Sequence, residues 1–188
     1  MHGTVITFVG MPGAGKSTCV DYLIEKGLPH VYFGGVIVDE TIRRYGKTDE
    51  EHEGIVRMDL REKEGNGAIA NRIMPQIDTL FENGAQYVIA DGLYSWTEYK
   101  IFKEKYAERA IIIAIAAPRK LRHERLANRP LRPLSDEDVT AREYSEIEKI
   151  EKGGPIANAD YTIVNNGDVD TLLNALQNIL ADANVTIS

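Results

Sequence analysis

The sequence predicts an α/β fold in which five parallel strands form a sheet with helices on both faces. Five short apolar runs alternate with longer segments whose apolar residues recur at helical spacing. The run over 110–116 is apolar throughout, which is typical of a strand buried on both faces of a parallel sheet. A glycine-rich turn directly after the first run indicates a tight passage from a strand into a helix.

The predicted elements alternate along the whole chain. Strands are predicted over 4–9, 30–33, 86–91, 110–116 and 161–164. Helices are predicted over 17–26, 36–45, 55–64, 68–83, 95–106, 118–128, 136–152 and 169–181. Gly34 and Gly35 are expected to separate the second strand from its helix, and Gly153 to begin the break after residue 152. Because parallel strands end at one edge of a sheet, the loops that follow them should meet at one rim.

Length and composition limit the kind of protein. The chain has 188 residues, of which 43% are hydrophobic and 27% charged, so one domain over 1–188 is expected. A net charge of −7 argues against nucleic acid as a partner. No apolar run approaches the roughly 20 residues that cross a bilayer, so we expect no membrane segment, and the immediate first strand leaves no signal peptide. A single cysteine, Cys19, excludes an internal disulfide and a cysteine-based zinc site, and a cytoplasmic protein is expected.

Residues 10–17 match the phosphate-loop pattern G-x-x-x-x-G-K-[ST] at every fixed position. Glycines let the backbone wrap around an anion, and the following helix adds the positive end of its dipole. Lys16 would reach the β- and γ-phosphates of a nucleotide, and the Ser17 hydroxyl would bind Mg²⁺. The alternative is a turn that binds nothing, which the intact pattern between a strand and a helix disfavours. The residues predicted to bind the nucleotide here are Gly10, Pro12, Gly13, Ala14, Gly15, Lys16, Ser17 and Thr18.

Asp91 ends the third predicted strand and is a candidate for metal binding or catalysis. A carboxylate at this place would hold Mg²⁺ through water or orient the attacking group. The alternative is that Asp91 caps the next helix or hydrogen-bonds the loop. Together with Ser17 it makes up the predicted metal site.

A basic segment over 119–132 contrasts with the acidic chain as a whole. Arg125 and Arg129 are four residues apart on one helix face, Arg132 follows in a proline-flanked loop, and Arg142 lies in the next helix. A mobile lid over 129–153 that carries arginines would neutralise the charge of a phosphoryl group in transfer. The alternative is a solvated helix face with surface ion pairs, such as Arg142 with Glu146.

Taken together, these motifs resemble the P-loop nucleoside monophosphate kinases. The chain is most similar to small archaeal adenylate-kinase-related proteins, and next to dephospho-coenzyme A kinase. The similarity extends over most of the chain and is carried by the segments 9–16, 60–63, 67–68, 71–72, 90–92, 124–126 and 159–167. It implies a three-layer P-loop NTPase fold with strand order 2-3-1-4-5, a helical insertion over 34–84 on the side of the phosphate acceptor, and ATP and Mg²⁺ as cofactors.

The resemblance also implies residue roles. Arg125 would stack on adenine, Arg129 would contact the ATP phosphates, and Arg132 and Arg142 would close over the transferred group. The residues implied to border the adenine are Asn165, Asn166 and Gly167. Those expected at the acceptor are Gly35, Arg61, Arg72 and Tyr94. The chain departs from its relatives after the second strand, where Gly34 and Gly35 replace a Gly-Asp pair, and after the third, where Leu93 and Tyr94 stand before Ser95 without the relatives' arginine.

The expected function is transfer of a phosphoryl group from ATP to a small-molecule acceptor, a nucleoside monophosphate or a related nucleotide. The alternatives are a dephospho-coenzyme A kinase and a nucleotide-binding ATPase or switch without an acceptor. No nucleic acid or membrane partner is expected, and the chain is expected to be a monomer or a homodimer.

Overall fold

Five parallel strands form the central sheet of the computed structural model, which describes residues 3–187 apart from the side chain of residue 50. Their order across the sheet is β2-β3-β1-β4-β5, which confirms the expected fold. The strands are β1 (Thr4–Val9), β2 (His30–Tyr32), β3 (Tyr87–Asp91), β4 (Ala110–Ala116) and β5 (Tyr161–Val164).

Strand β1 lies at the centre of the sheet and fixes where the glycine-rich loop emerges. Ile6 pairs with Ile89 of β3 on one side and with Ile111 of β4 on the other. The Thr7 hydroxyl donates a hydrogen bond of 2.6 Å to the carbonyl of Ala90, so a buried polar group near the end of β1 is satisfied across the sheet. The loop after β1 therefore lies between the carboxyl ends of β3 and β4.

Helices cover both faces of the sheet. The nine helices of residues 3–187 are α1 (Lys16–Glu25), α2 (Phe33–Tyr45), α3 (Glu50–Glu64), α4 (Ala68–Glu82), α5 (Trp96–Tyr106), α6 (Arg119–Ala127), α7 (Asp136–Ile150), α8 (Gly153–Ala157) and α9 (Val169–Asp182). One core packs α2, α3, α4 and α5 against the sheet around Phe33, Ile73 and Phe102. The other packs α1 and α9 around Leu23 and Leu176. Two separate apolar cores, one on each face, are what a three-layer α/β domain requires.

The two predicted glycine breaks have different outcomes. Helix α2 begins at Phe33, directly after β2, so Gly34 and Gly35 lie in its first turn and not in a loop. Helix α7 ends at Ile150, and the residues expected to stop it begin the short helix α8 instead, since a proline at the third position of a helix sacrifices no intrahelical hydrogen bond. The loop predicted at Gly34 and Gly35 was wrong because glycine also tolerates the helical conformation, whereas the predicted break after α7 is present and begins two residues earlier than expected.

Most of the other predicted boundaries agree with the structure. Strands β4 and β5 have the predicted bounds, and Ser95 caps α5 through a reciprocal hydrogen-bond arrangement with Glu98. Helix α3 begins at Glu50, five residues earlier than predicted, because Asp49 accepts a hydrogen bond from the amide of His52 and caps it. Within residues 3–187, no helix has both the length and the apolar character needed to cross a bilayer.

Candidate active site

The glycine-rich loop leads from β1 into α1 and presents amide groups at the start of that helix. Gly15 precedes α1 with φ 108° and has no side chain that could cap the first-turn amides. A Cβ atom at Gly15 would lie 2.3 Å from Nδ2 of Asn165, so only glycine fits this approach. Uncapped amides together with the helix dipole form a binding site for an anion such as phosphate.

Lys16 folds back across the loop. Its Nζ donates hydrogen bonds to the carbonyls of Gly10 at 2.8 Å and Met11 at 3.1 Å. Burial, and next the positive charge of Lys152, lower the pKa of Lys16 to about 7. The negative charge of a bound anion would offset both effects, so the surroundings of Lys16 favour a phosphate ligand.

Asp91 lies at the carboxyl end of β3, beside the loop. Burial raises the pKa of its carboxyl group, and the positive charge of Lys16 opposes this rise. The Ser17 hydroxyl is exposed at the start of α1. Within residues 3–187, no group of three or more His, Cys, Asp or Glu side chains is arranged to hold a metal ion. Two hard oxygen groups beside a phosphate site nevertheless fit Mg²⁺, which is commonly held by one or two protein ligands, phosphate oxygens and water.

Asn165 connects the end of β5 to the loop. Its Nδ2 donates to the carbonyl of Ala14 at 2.8 Å, and its backbone amide donates to the carbonyl of Ala116 at 2.7 Å. Arg125 donates to the side-chain oxygen of Asn165 at 3.2 Å. Asn166 and Gly167 follow as exposed residues, outside this network. The structure thus brings two of the residues expected near adenine into one network with the phosphate loop, and their adenine contacts stay predictions.

Helix α7 is fastened to α6 and to the loop by a buried arginine that the sequence analysis did not single out. Arg122 donates to the carbonyls of Ala117 at 3.1 Å and Pro12 at 3.2 Å, and forms an ion pair with Glu143. Arg119 donates to the same carboxylate at 3.0 Å. Burial acts to raise the pKa of Glu143, but the hydrogen bonds from the two arginines lower it. Glu143 therefore stays ionised and holds α7 against the loop.

Arg129 and Arg132 lie on the turn between α6 and α7. The Arg129 guanidinium donates to the carbonyl of Arg132, whose φ of 52° is left-handed, and the Arg132 side chain is exposed. The contact of both residues with phosphates stays a prediction, and it would require this turn to close over the loop.

Arg142 belongs to a chain of charges that reaches into the interior. Its Nε lies 3.0 Å from one oxygen of Glu146, and the other oxygen of Glu146 lies 2.5 Å from Nζ of Lys152. Lys152 is only 2% exposed, and its ammonium lies 4.9 Å from the centre of the Tyr94 ring. The surface pair expected as an alternative role for Arg142 is therefore present, but it continues to a buried lysine near Lys16.

Arg61 and Glu98 lie on the acceptor side of this chain. Nε of Arg61 and Oε1 of Glu98 are buried and have no hydrogen-bond partner within residues 3–187. The other oxygen of Glu98 accepts from the amides of Tyr94 and Ser95, both at 2.8 Å. Burial lowers the pKa of Arg61, which the negative charge of Glu98 counteracts. Buried polar atoms are usually hydrogen-bonded, so these two atoms are available to a polar group of a ligand.

The other residues predicted to lie at the acceptor have different surroundings. A Cβ atom at Gly35 would lie 3.6 Å from Cδ1 of the Tyr32 ring, and the Arg72 guanidinium is paired with Glu64 at 2.6 Å. Tyr94 is partly buried, which raises the pKa of its hydroxyl group. Of the four residues, Arg61 and Tyr94 adjoin the chain formed by Arg142 and its partners, and the acceptor role of all four stays a prediction.

Comparison with known proteins places the chain in a family. Residues 9–143 match the family described as AAA domain. The chain belongs to this family. A UPF0200 protein from Thermococcus kodakarensis is 35% identical over 87% of this chain and 89% of its own length. A UPF0200/UPF0201 protein from Archaeoglobus fulgidus is 35% identical over 94% of this chain, which spans only 54% of that relative.

Solved structures show the same fold. TT1252 from Thermus thermophilus superposes with a TM-score of 0.66 at 22% identity, covering 97% of this chain and 98% of its own. A shikimate kinase from Acinetobacter baumannii, solved with shikimate, superposes with a TM-score of 0.55 at 25% identity, covering 96% and 94%. The AAA-domain family member described here therefore has a P-loop kinase-like fold, as the resemblance implied.

The residues that sequence reasoning missed are joined by contacts between distant segments. Arg122 was counted only as one charge of a basic segment, and Glu146 only as a surface partner. Lys152 carried no signal, since a lysine near the end of a charged helix is ordinarily solvated. The one available signal was the position of Arg122, one helical turn before Arg125 and Leu126. This spacing places Arg122 on the same helix face as the apolar Leu126 and so indicates a buried basic residue.

Proposed function

We propose that this protein is an ATP- and Mg²⁺-dependent phosphotransferase whose acceptor is a small anionic molecule. The observation that carries the proposal is the meeting of two sets of cations at the end of β1. Lys16 comes from the phosphate loop, while Arg142 and Lys152 come from the segment after α6. Cations from two sides of one phosphate site are what phosphoryl transfer needs, because charge spreads over the transferred group.

On the donor side, the loop amides and Lys16 would bind the ATP phosphates. Ser17 and Asp91 would share Mg²⁺ with phosphate oxygens, and the ion would neutralise charge between the phosphates. Alternatively, Asp91 would orient the attacking oxygen of the acceptor. Arg125 and Asn165 would support the nucleotide from the other side of the loop.

On the acceptor side, charge and aromatic surface favour an anionic ligand. Arg61 has an unpaired buried nitrogen, and Tyr94 has a ring with a cation on one face. A phosphate or carboxylate group would pair with the guanidinium of Arg61. We therefore take a nucleoside monophosphate as the first acceptor to test. Shikimate, a carboxylic acid bound by the structurally similar kinase, is the second.

The experiment is a coupled assay of ADP release with Mg²⁺ and ATP, run with each nucleoside monophosphate, dephospho-coenzyme A and shikimate. We expect at least one acceptor to raise ADP release clearly above hydrolysis without acceptor. The Lys16→Met variant should lose this increase, whereas Lys26→Met, which removes an exposed lysine at the end of α1, should keep it.

Two alternative functions are separated by the same assay. An increase only with dephospho-coenzyme A would identify a dephospho-coenzyme A kinase. Slow hydrolysis that no acceptor raises would contradict the proposal and indicate an ATPase or a switch. In that case, ATP-dependent binding of a partner is the property to measure.

A further inference from the structure

Lys152 is the most deeply buried basic side chain within residues 3–187. It lies in the turn between α7 and α8, directly after Glu151, whose φ of 54° turns the chain inward. Its backbone amide donates to the carbonyl of Glu146 at 3.2 Å, which fixes the turn. A lysine that is 2% exposed is rare unless it is paired or has a function.

The surroundings of Lys152 connect both halves of the site. Its Nζ bonds Glu146 at 2.5 Å and lies above the Tyr94 ring at 4.9 Å. On the donor side, its charge depresses the pKa of Lys16 more than any other charge does. On the acceptor side, the negative charge of Glu98 acts to raise the pKa of Lys152. Lys152 thus stands between the residues that would bind ATP and those that would bind the acceptor.

Glu146 is the single acid that holds the two cations of this segment. One oxygen pairs with Arg142 at 3.0 Å and the other with Lys152. Arg142 and Lys152 contact this carboxylate, and the charges of Lys16 and Glu146 act on each other, so a second anion placed among the three cations would be attracted. The terminal phosphoryl group of an ATP molecule bound in the loop would supply such a negative charge between the two halves of the site.

We propose that Lys152 is a phosphate-binding residue that contacts the γ-phosphate of ATP, and that the Glu146 carboxylate competes with that phosphate for it. This inference rests on the proposed function, since it needs ATP in the loop. It adds a second lysine to the phosphate-binding site. Glu146 then weakens ATP binding, because its carboxylate must release Lys152 before the phosphate can bind it. Lys152 then helps the protein to distinguish ATP from ADP, which lacks the γ-phosphate.

The test measures, by calorimetry with Mg²⁺, the affinities for ADP and for a β,γ-imido analogue of ATP. Lys152→Met should weaken binding of the analogue by about tenfold and change ADP binding less than about twofold. The control Lys149→Met removes an exposed lysine from the last turn of α7 and should leave both affinities unchanged. A folded Lys152→Met protein with the wild-type ratio of the two affinities would overturn the inference.

Loss of Lys152 alone leaves Glu146 partly unpaired, so a second pair of variants guards against misfolding. Glu146→Gln should raise the preference for the ATP analogue over ADP, because Lys152 is then free for phosphate. The double variant with Lys152→Met removes both charges, which is often tolerated in stability, and should lose that gain. If Glu146→Gln and the double variant prefer the ATP analogue over ADP equally, a contact of Lys152 with the γ-phosphate is refuted.

Failure of this inference differs from failure of the proposed function. Wild-type protein that binds neither nucleotide would contradict both. Wild-type protein that binds both nucleotides, with ratios unaffected by Lys152 and Glu146, would contradict only the role of Lys152.

Discussion

The side chain of Asn165 donates a hydrogen bond of 2.8 Å to the carbonyl of Ala14, 151 positions earlier in the sequence. The bond is buried and ties the loop after β5 to the loop after β1. Since Arg125 donates to the side-chain oxygen of Asn165, this one amide side chain couples α6 to the phosphate loop.

We predict that Asn165→Ala destabilises the protein and weakens nucleotide binding together. Removal of the amide leaves the carbonyl of Ala14 unpaired, which costs about 1–3 kcal/mol. Chemical unfolding measures the loss of stability, and calorimetry with ADP measures the loss of affinity. Asn166→Ala, in the neighbouring exposed residue, should change the stability little. Equal stability of the two variants would show that the bond to Ala14 contributes nothing.

Because the two loops approach each other closely, adding a single methyl group at Gly15 should lower the stability of the protein. In Gly15→Ala, the new Cβ would lie 2.3 Å from Nδ2 of Asn165, on a backbone with φ 108°. Gly27→Ala provides a matched control, because its φ of 83° is also unfavourable but no atom lies within 4 Å. We expect Gly15→Ala to lower the melting temperature clearly more than Gly27→Ala. The difference isolates the clash from the backbone strain that both variants share.

The sequence alone predicted those features of the fold that depend on residues close together in the chain. The glycines of residues 10–17 are enough to predict the shape of the loop. The uniformly apolar run over 110–116 can be buried on both faces only inside a parallel sheet. Asp49 as a helix cap escaped notice because the acidic residues around it were taken as a loop. Gly34 was taken as a break, whereas burial of Phe33 and Ile37 on the sheet keeps the helix intact around it. Tertiary packing overrode local propensity at that point.

The charged part of the site depends on contacts between segments far apart in sequence. Arg122 reaches Pro12, 110 positions away, and Lys152 reaches Tyr94 only because the turn at Glu151 directs it inward. Neither relationship leaves a periodicity or a motif in the sequence. For that reason the sequence indicated a cationic lid but not which of its cations point into the protein.

A third prediction concerns the ion pair that fastens α7. Both side chains of Arg122 and Glu143 are nearly buried, and removal of Arg122 leaves the Glu143 carboxylate with Arg119, whose side chain is about half exposed. Arg122→Met should cost about 3 kcal/mol of unfolding free energy, the low end for a broken buried pair. Arg43→Met, which breaks a solvent-exposed pair with Glu40, should cost far less. Similar losses in the two variants would contradict the anchoring role of Arg122.

The same ion pair predicts how stability depends on acid. Because the pKa of Glu143 is lowered in the folded protein, its contribution is present above the ordinary glutamate pKa of about 4.3 and is lost as the pH falls further. Glu143→Gln should therefore be less stable than wild type at pH 7, and the gap should narrow towards pH 3. A gap that stays constant over this range would exclude an ionised Glu143 as the source of the stability.

The last prediction follows from the lowered pKa of Lys16. In the free protein at pH 8 most of the Lys16 side chains are neutral, because the pKa is about 7. The phosphates of ATP raise this pKa, so binding at pH 8 should take up a proton, and binding at pH 6 should take up almost none. Calorimetry in two buffers with different ionisation enthalpies measures the uptake directly.

Folding stability should show the matching dependence. A lysine pKa that is lower in the folded than in the unfolded chain imposes its full penalty below pH 7, and the penalty fades as the pH rises towards 10.5, where the unfolded chain also loses the proton. Lys16→Met should therefore raise the melting temperature, by about 2–6 °C at pH 6 and by less at pH 9. Lys26→Met serves as the exposed control and should show no such trend. A Lys16→Met protein that is no more stable than wild type at pH 6 would mean that the loop carbonyls of Gly10 and Met11 fully compensate the buried charge.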